Sequence, residues 1–374
     1  MKAVRIQAPC RLNENGEIVQ EGVVVIDDLP MPVRKKGEVL LKLLYVGICG
    51  SDIGSYKGTF AYAKYPLIPG HEFSAQIIDV DEDNAYGLKK GMIVTCNPYM
   101  NCGKCYSCLH GRINACMNNQ TLGCQTDGAF REYFTLPEER CYDGKGLDAK
   151  TLAAIEPFCI SYHGVSRAEI MPGEKVLVVG AGTIGILAAA AAKMRGAEVY
   201  IADTLQGKLD LATSIGIVDG TIHSDLSDPG SFMRQVRKIT GEENFIGGDG
   251  QAHCEPKGFD VTIEAVGLPS TFQNCIDAAC FGGRMVLIGV GKQRLDFDFT
   301  MIQKKELNVY GSRNAVKKDF LELIDLVRKG KAPLDKVITN VYEMKDAAAA
   351  FYDFSRNPGN MLKVMVHIAD PETF

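Results

Sequence analysis

Cys102, Cys105, Cys108 and Cys116 lie within one short stretch, NCGKCYSCLHGRINAC, with the spacing C-x2-C-x2-C-x7-C. Small and polar residues separate them (Gly103, Lys104, Ser107, Gly111), so the chain can wrap its four thiolates around one ion. A closed four-sulfur shell is what structural zinc prefers. An iron–sulfur cluster is the other tenant that four thiolates admit. A disulfide pair fits less well, because nothing else in the chain points to a secreted protein.

A second motif is Gly180-x-Gly182-x-x-Gly185, between a strand-like run (KVLVV) and an alanine-rich helical run. In that context the first glycine permits a tight turn, the second lets a diphosphate approach the backbone, and the third lets the helix pack on the sheet. The diphosphate would then face free N–H groups at a helix N-terminus. Asp203 follows at the end of the next strand, where a carboxylate can bind both ribose hydroxyls and repel a 2′-phosphate. No arginine follows it until Arg234, so NAD is expected rather than NADP. Thr183, Ile184, Lys208, Val266, Ile288 and Gly289 complete the expected cofactor contacts.

The third constellation is Cys49, His71 and Glu72, in GICGSD and PGHE. A lone Cys or His is usually a buried structural residue, and a lone Glu usually a surface one. Their joint presence beside a dinucleotide motif shifts that weighting toward a functional role.

The elements that must position these groups fall into two textures. Up to about residue 155 the chain shows short β-branched runs broken by Gly and Pro: Val23–Asp27, Val39–Val46, Phe73–Val80 and Met92–Cys96. From Lys175 strands and helices alternate. Strands are expected at 175–179, 198–202, 220–223, 259–264 and 284–288, and helices at 206–215 and 231–239. That alternation predicts a doubly wound parallel sheet. Residues 246–257 (IGGDGQAHCEPK) read as a polar surface loop, and its His253 and Cys254 as an incidental pair. A helix at 317–329 and two strand-like runs near Val341 and Val364 are too few for a third domain, so this segment is expected to return to the first.

At 374 residues, 46% hydrophobic and 23% charged, the chain suits a two-domain globular protein. A net charge of −5 without a basic run makes nucleic acid or an anionic membrane a poor partner. The first residues, MKAVRIQAPCR, contain no apolar h-region, and the apolar stretch Ile184–Ala192 is too short to span a bilayer. Thirteen cysteines suit a reducing, cytoplasmic setting.

Taken in order, GICGSD, PGHE, the four-cysteine lobe and GAGTIG resemble the zinc-dependent medium-chain alcohol and polyol dehydrogenases. The resemblance implies a GroES-like catalytic domain over residues 1–157 with a zinc lobe at about 96–120. It implies a Rossmann NAD-binding domain over 158–312, and a segment, 313–374, that rejoins the first. Two zinc ions per subunit follow, one structural and one catalytic. Cys49 and His71 would hold the catalytic ion, with Glu72 as a ligand or neighbour.

Simple alcohol dehydrogenases place a cysteine at the next ligand position, whereas here IEPF puts Glu156 there. That is similar to the sorbitol and threonine dehydrogenases, and it favours polyols, sugar acids and hydroxy amino acids over ethanol. TLGCQTDGAF (121–130) resembles the L-galactonate and L-gulonate 5-dehydrogenases. An open zinc acts as a Lewis acid on a substrate hydroxyl, and hydride passes to the nicotinamide.

The resemblance gives Ser51 the start of a proton relay and Asp52 the orientation of His71. Gly54 stands where many members carry a relay histidine, so the proton must leave through Glu156, water or Tyr56. Lys363 is expected at the cofactor diphosphate, and Arg313 at a substrate carboxylate or the cofactor. A homodimer or homotetramer along the Rossmann sheet edge is implied. L-threonine 3-dehydrogenase is the rival enzyme, and a zinc-stabilised NAD sensor without turnover is the rival of another class.

Overall fold

The structure, a computed structural model, describes residues 1–247, 249–291, 293–296 and 299–374. The chain forms two compact units, one from Met1–Cys159 with Asn314–Phe374, the other from Ile160–Arg313.

The first unit is built around the strand Glu38–Ile48, whose residues EVLLKLLYVGI alternate toward a buried face. It pairs antiparallel with Glu72–Asp79, with Tyr133–Pro137 and with Lys363–His367. Ile338–Glu343 lies parallel to Lys363–His367, so the end of the chain completes this seven-stranded sheet. Leu41, Leu43, Ile48, Phe73, Phe130, Phe351 and Val364 are fully buried in its core. Gly47 stands opposite both Glu72 and Met365 in the register, which brings the PGHE segment and the last strand to one place.

The four-cysteine lobe rises from a two-residue antiparallel stem, Tyr99–Met100 against Gln120–Thr121. Inside it are a four-residue helix, Tyr106–Leu109, and a short 3-10 turn, Ile113–Ala115. Tyr106, Leu109 and Met117 are exposed, so the lobe has no apolar core of its own. A segment of that kind needs a staple to hold its shape.

The second unit is a six-stranded sheet with all neighbours parallel. Its order is Gly220–His223, Glu198–Asp203, Lys175–Val179, Phe259–Glu264, Ala279–Leu287, Asn308–Gly311. That is the 3-2-1-4-5-6 order of a Rossmann sheet. KVLVV runs uninterrupted because both faces of a parallel strand are covered. The helix Thr183–Lys193 buries Gly185 through Ala192, where a glycine and five successive alanines let it lie close on the sheet.

One expectation is corrected. Within 246–257, Ala252–Pro256 pairs antiparallel with Glu242–Ile246 as an exposed hairpin instead of forming a loop; Gly248 lies outside the described residues. Backbone pairing needs no apolar side chains, so composition concealed it. Among the described residues no helix is long and apolar enough to cross a membrane.

Candidate functional site

The lobe cysteines converge. Sγ–Sγ distances are 3.5 Å for Cys105–Cys108, 3.6 Å for Cys116–Cys102 and 3.9 Å for Cys105–Cys116. A tetrahedron with Zn–S bonds of about 2.3 Å has edges of about 3.8 Å, so the cage has the size of one zinc ion. A disulfide would need about 2.05 Å, and a four-iron cluster would spread the thiolates over separate irons. The backbone N–H of Lys104 is the first cause that brings Cys102 down to about 6, and the N–H of Cys108 lowers Cys105. Gly103, at φ +71°, supplies the reversal such a knuckle requires.

The second cluster is assembled from two places. Cys49 caps the helix Gly50–Tyr56, while His71 and Glu72 enter the neighbouring strand. One ligand atom from each of Cys49, His71 and Glu72 lies within 4.8 Å of the others. Asp52 ties the cluster together through the backbone, accepting from Cys49 N–H at 2.8 Å and Gly70 N–H at 3.2 Å. Its two oxygens hold the main chain on either side of the ligands, and its charge also acts on the His71 ring. The stretch 121–130 buttresses the same loop. Gly128 N–H donates to Ile68 O, Ala129 N–H to Gly70 O and Phe130 N–H to Pro69 O. A Cβ at Gly123 or Gly128 would overlap the backbone of Gly70.

Glu156, in the first turn of the helix Ile155–Ser166, is buried and accepts a hydrogen bond from the Tyr99 hydroxyl. Burial pushes Glu156 up to about 7, with Glu72 adding to the rise and His71 opposing it. Burial disfavours a charged His71, yet Cys49, then Cys124 and Asp52, hold it well above an ordinary histidine. His71 Nδ1 and Ser51 Oγ are buried without a hydrogen-bond partner, as a ligand atom and a substrate-facing hydroxyl would be. The donor set of thiolate, imidazole and carboxylate suits zinc.

Two expected site residues are placed elsewhere. Lys363 does not reach out for a diphosphate. Its ammonium is buried, 2.8 and 2.6 Å from the two Glu72 oxygens and 3.2 Å from Ile48 O. The strand pairing that sets Val364 opposite Ile48 carries it there. Tyr56 is also taken, its hydroxyl donating to Glu21 at 2.8 Å, a carboxylate that also holds Arg356. Its ring packs in the core against Phe351, so it offers no proton route.

In the second unit, Gly180 adopts φ +108°, and a Cβ on Gly185 would overlap Gly180 O. Gly182 caps the helix Thr183–Lys193 with open space around its Cα. Asp203 accepts the Ala181 N–H at 2.7 Å and the Leu205 N–H at 2.9 Å, with Lys208 at 3.9 Å. Ile184 O accepts from Ser161 Oγ. Val266 covers Gly180, and Ile288 and Gly289 follow the neighbouring strand. Arg313 is exposed at the end of this unit.

Glu264 escaped the sequence reading. Buried at a strand end, it accepts from Val266 N–H, Gly267 N–H and Thr271 Oγ1, fixing the loop beside the glycine turn. The signal was an acid closing an apolar strand in TIEAVG.

Residues 35–145 match the alcohol dehydrogenase GroES-like domain and residues 183–329 the zinc-binding dehydrogenase domain. L-galactonate-5-dehydrogenase of Escherichia coli K12 is 36% identical over 86% of this chain and 89% of its own length. This chain belongs to the zinc-binding alcohol dehydrogenase family. Sorbitol dehydrogenase of Halalkalibacterium halodurans, another family member, is 31% identical over 92% of this chain and 96% of its own. Among solved structures, a zinc-binding dehydrogenase of Sinorhizobium meliloti 1021 bound to NADP superposes with TM-score 0.81, at 27% identity over 98% and 99% of the two chains. An alcohol dehydrogenase of E. coli CFT073 complexed with NADH gives 0.80, also at 27% and the same coverage. The seven-stranded sheet and the parallel six-stranded sheet are the GroES-like and Rossmann units of this enzyme family.

Proposed function

We propose that this protein oxidises a secondary alcohol of a polyol or sugar acid, reversibly, with NAD as hydride acceptor. The observation that carries the reading is the buried cluster of Cys49, His71 and Glu72, with Glu156 and the unpartnered Ser51 hydroxyl at hand. These residues would hold a catalytic zinc, and a second zinc would occupy the four-cysteine lobe. When bound, the catalytic ion supplies Lewis-acid polarisation of the substrate hydroxyl.

The chain's own groups do the rest. Ser51 accepts the hydroxyl proton, and with Gly54 in place of a histidine and Tyr56 committed to Glu21, Glu156 and water are the outlet. Lys363 neutralises Glu72, and Asp52 keeps Cys49 and Gly70 in register. Gly180, Gly182 and the helix behind them receive the diphosphate. Asp203 takes the adenosine ribose and disfavours a 2′-phosphate. Arg313 contacts a substrate carboxylate or the cofactor. Sugar acids lead the substrate panel because the E. coli relative acts on L-galactonate, and polyols follow from the sorbitol dehydrogenase. The subunits assemble as a homodimer or homotetramer along the edge strand Asn308–Gly311, in the cytoplasm.

The test is absorbance at the NADH band with NAD and a panel of sugar acids, polyols and threonine, alongside zinc per subunit. Turnover on a sugar acid or polyol with about two zinc ions per chain supports the reading. Turnover on threonine alone transfers it to the amino-acid branch, and NADH binding without any turnover overturns it.

A further inference from the structure

We infer that Tyr99 is a positioning residue, through which the four-cysteine lobe holds the Glu156 carboxylate at the Cys49–His71–Glu72 cluster. The inference rests on the proposed membership of Glu156 in the catalytic metal site. It makes the lobe an active support of the chemistry, where a staple would only keep the chain folded.

Tyr99 begins the stem of the lobe, three residues before Cys102, and stands opposite Thr121 in the two-residue pairing. Its main chain is held on both sides. The N–H donates to Asn97 Oδ1 at 3.0 Å, and the carbonyl accepts from Arg140 Nη1 at 2.8 Å. The same guanidinium reaches Asn101 Oδ1 at 2.5 Å, next to the first lobe cysteine. Leu122 N–H closes the stem on Pro98 O. A phenol ring has only two torsions, so a fixed main chain and a buried ring leave its hydroxyl one place to go. That place is Glu156, for which Tyr99 supplies the one hydrogen bond among the described residues. A buried carboxylate with no other donor is steered by that contact.

The cysteine cage and the stem are one short loop. Cys102 N–H donates to Cys116 Sγ at 3.3 Å, so closure of the cage draws the two stem strands together. Opening the cage frees the stem, lets the ring turn and releases Glu156, while Cys49, His71 and Glu72 keep their own supports from Asp52 and Lys363.

The test exchanges cobalt(II) into the catalytic site with zinc left in the lobe, and reads the d–d absorption bands. Tyr99→Phe removes only the hydroxyl. It is expected to shift the bands and lower kcat/KM about ten- to a hundredfold, the worth of a hydrogen bond to a charged group, at unchanged catalytic metal content. Cys105→Ser is expected to give the same shift, and the double variant no more than either alone. Unchanged bands in Tyr99→Phe, or shifts that add independently, overturn the inference. Glu156→Gln separates the two claims. If it leaves the bands unmoved, the assignment of Glu156 is wrong; if it moves them and Tyr99→Phe does not, only the role of Tyr99 falls. Where Tyr99→Phe does not fold, Cys105→Ser is read with and without Glu156→Gln. Its shift must vanish in the Gln background, and persistence there overturns the inference.

Discussion

Gly47 lies across the strand pair from Glu72, and a Cβ at Gly47 would overlap the Glu72 carboxylate. The missing side chain is the space in which that carboxylate lies beside Cys49 and His71. Gly47→Ala is therefore expected to push Glu72 aside, with overpacking that costs about 1–3 kcal/mol. Zinc analysis should find the catalytic ion depleted and the lobe ion retained. Full occupancy with unchanged kcat would show that Glu72 is dispensable to the site.

Lys363 and Glu72 form a buried pair, and removing one partner of such a pair typically costs about 3–5 kcal/mol. Lys363→Met should lower the urea midpoint of the first unit, and adding Glu72→Gln should recover part of the loss. Because its ammonium points at Glu72, NADH affinity by fluorescence titration should change by less than about twofold, under 0.5 kcal/mol. A tenfold weaker Kd would return Lys363 to the diphosphate.

The two cysteine clusters should fail differently. Cys49→Ser should remove the catalytic metal and turnover while the fold, followed by circular dichroism, stays intact. Cys105→Ser should keep the catalytic metal but lower the thermal midpoint, because the lobe has no apolar core to fall back on, and slow turnover only as far as Tyr99 releases Glu156. Full turnover by Cys49→Ser with one zinc fewer would contradict the proposed site.

Asp203 decides the cofactor in the proposed reading. Asp203→Ala removes a carboxylate that accepts the Ala181 and Leu205 N–H groups, so some loosening of the glycine turn is expected alongside lost ribose contacts. The ratio of kcat/KM for NAD over NADP should fall at least about tenfold, or 1.4 kcal/mol. An unchanged ratio would assign selectivity to another residue.

The Rossmann unit was largely legible, because buried parallel strands read as apolar runs and its helices as amphipathic or alanine-rich ones. KVLVV, GTIH and FDVTIE occupy the very residues expected. The Cys, His and Glu residues that converge were legible as types and order, since thiolate and imidazole spacing carries the chemistry proposed for them. What was hidden depends on long-range register. Nothing near Lys363 in sequence says that it faces Glu72, a partner nearly three hundred residues away. Tyr56 resembles a free phenol until Glu21 is seen beside it. Tyr99 was passed over because a lone aromatic in a strand usually means core. The hairpin at 242–256 was missed because its strands are polar and exposed on every residue but two.

The return of the last strand to the first unit gives the chain an order of assembly during synthesis. Ile160–Arg313 is continuous and complete once Arg313 has emerged, so the nucleotide-binding unit can close early. The metal-bearing unit waits for Lys363–His367, which at about 5–20 residues per second arrives several seconds later. Until then Glu72 lacks its cation and the edge of Glu38–Ile48 lacks a neighbour. A chain halted in the final segment therefore has its second unit complete but the edge of Glu38–Ile48 open, a template for pairing with another chain.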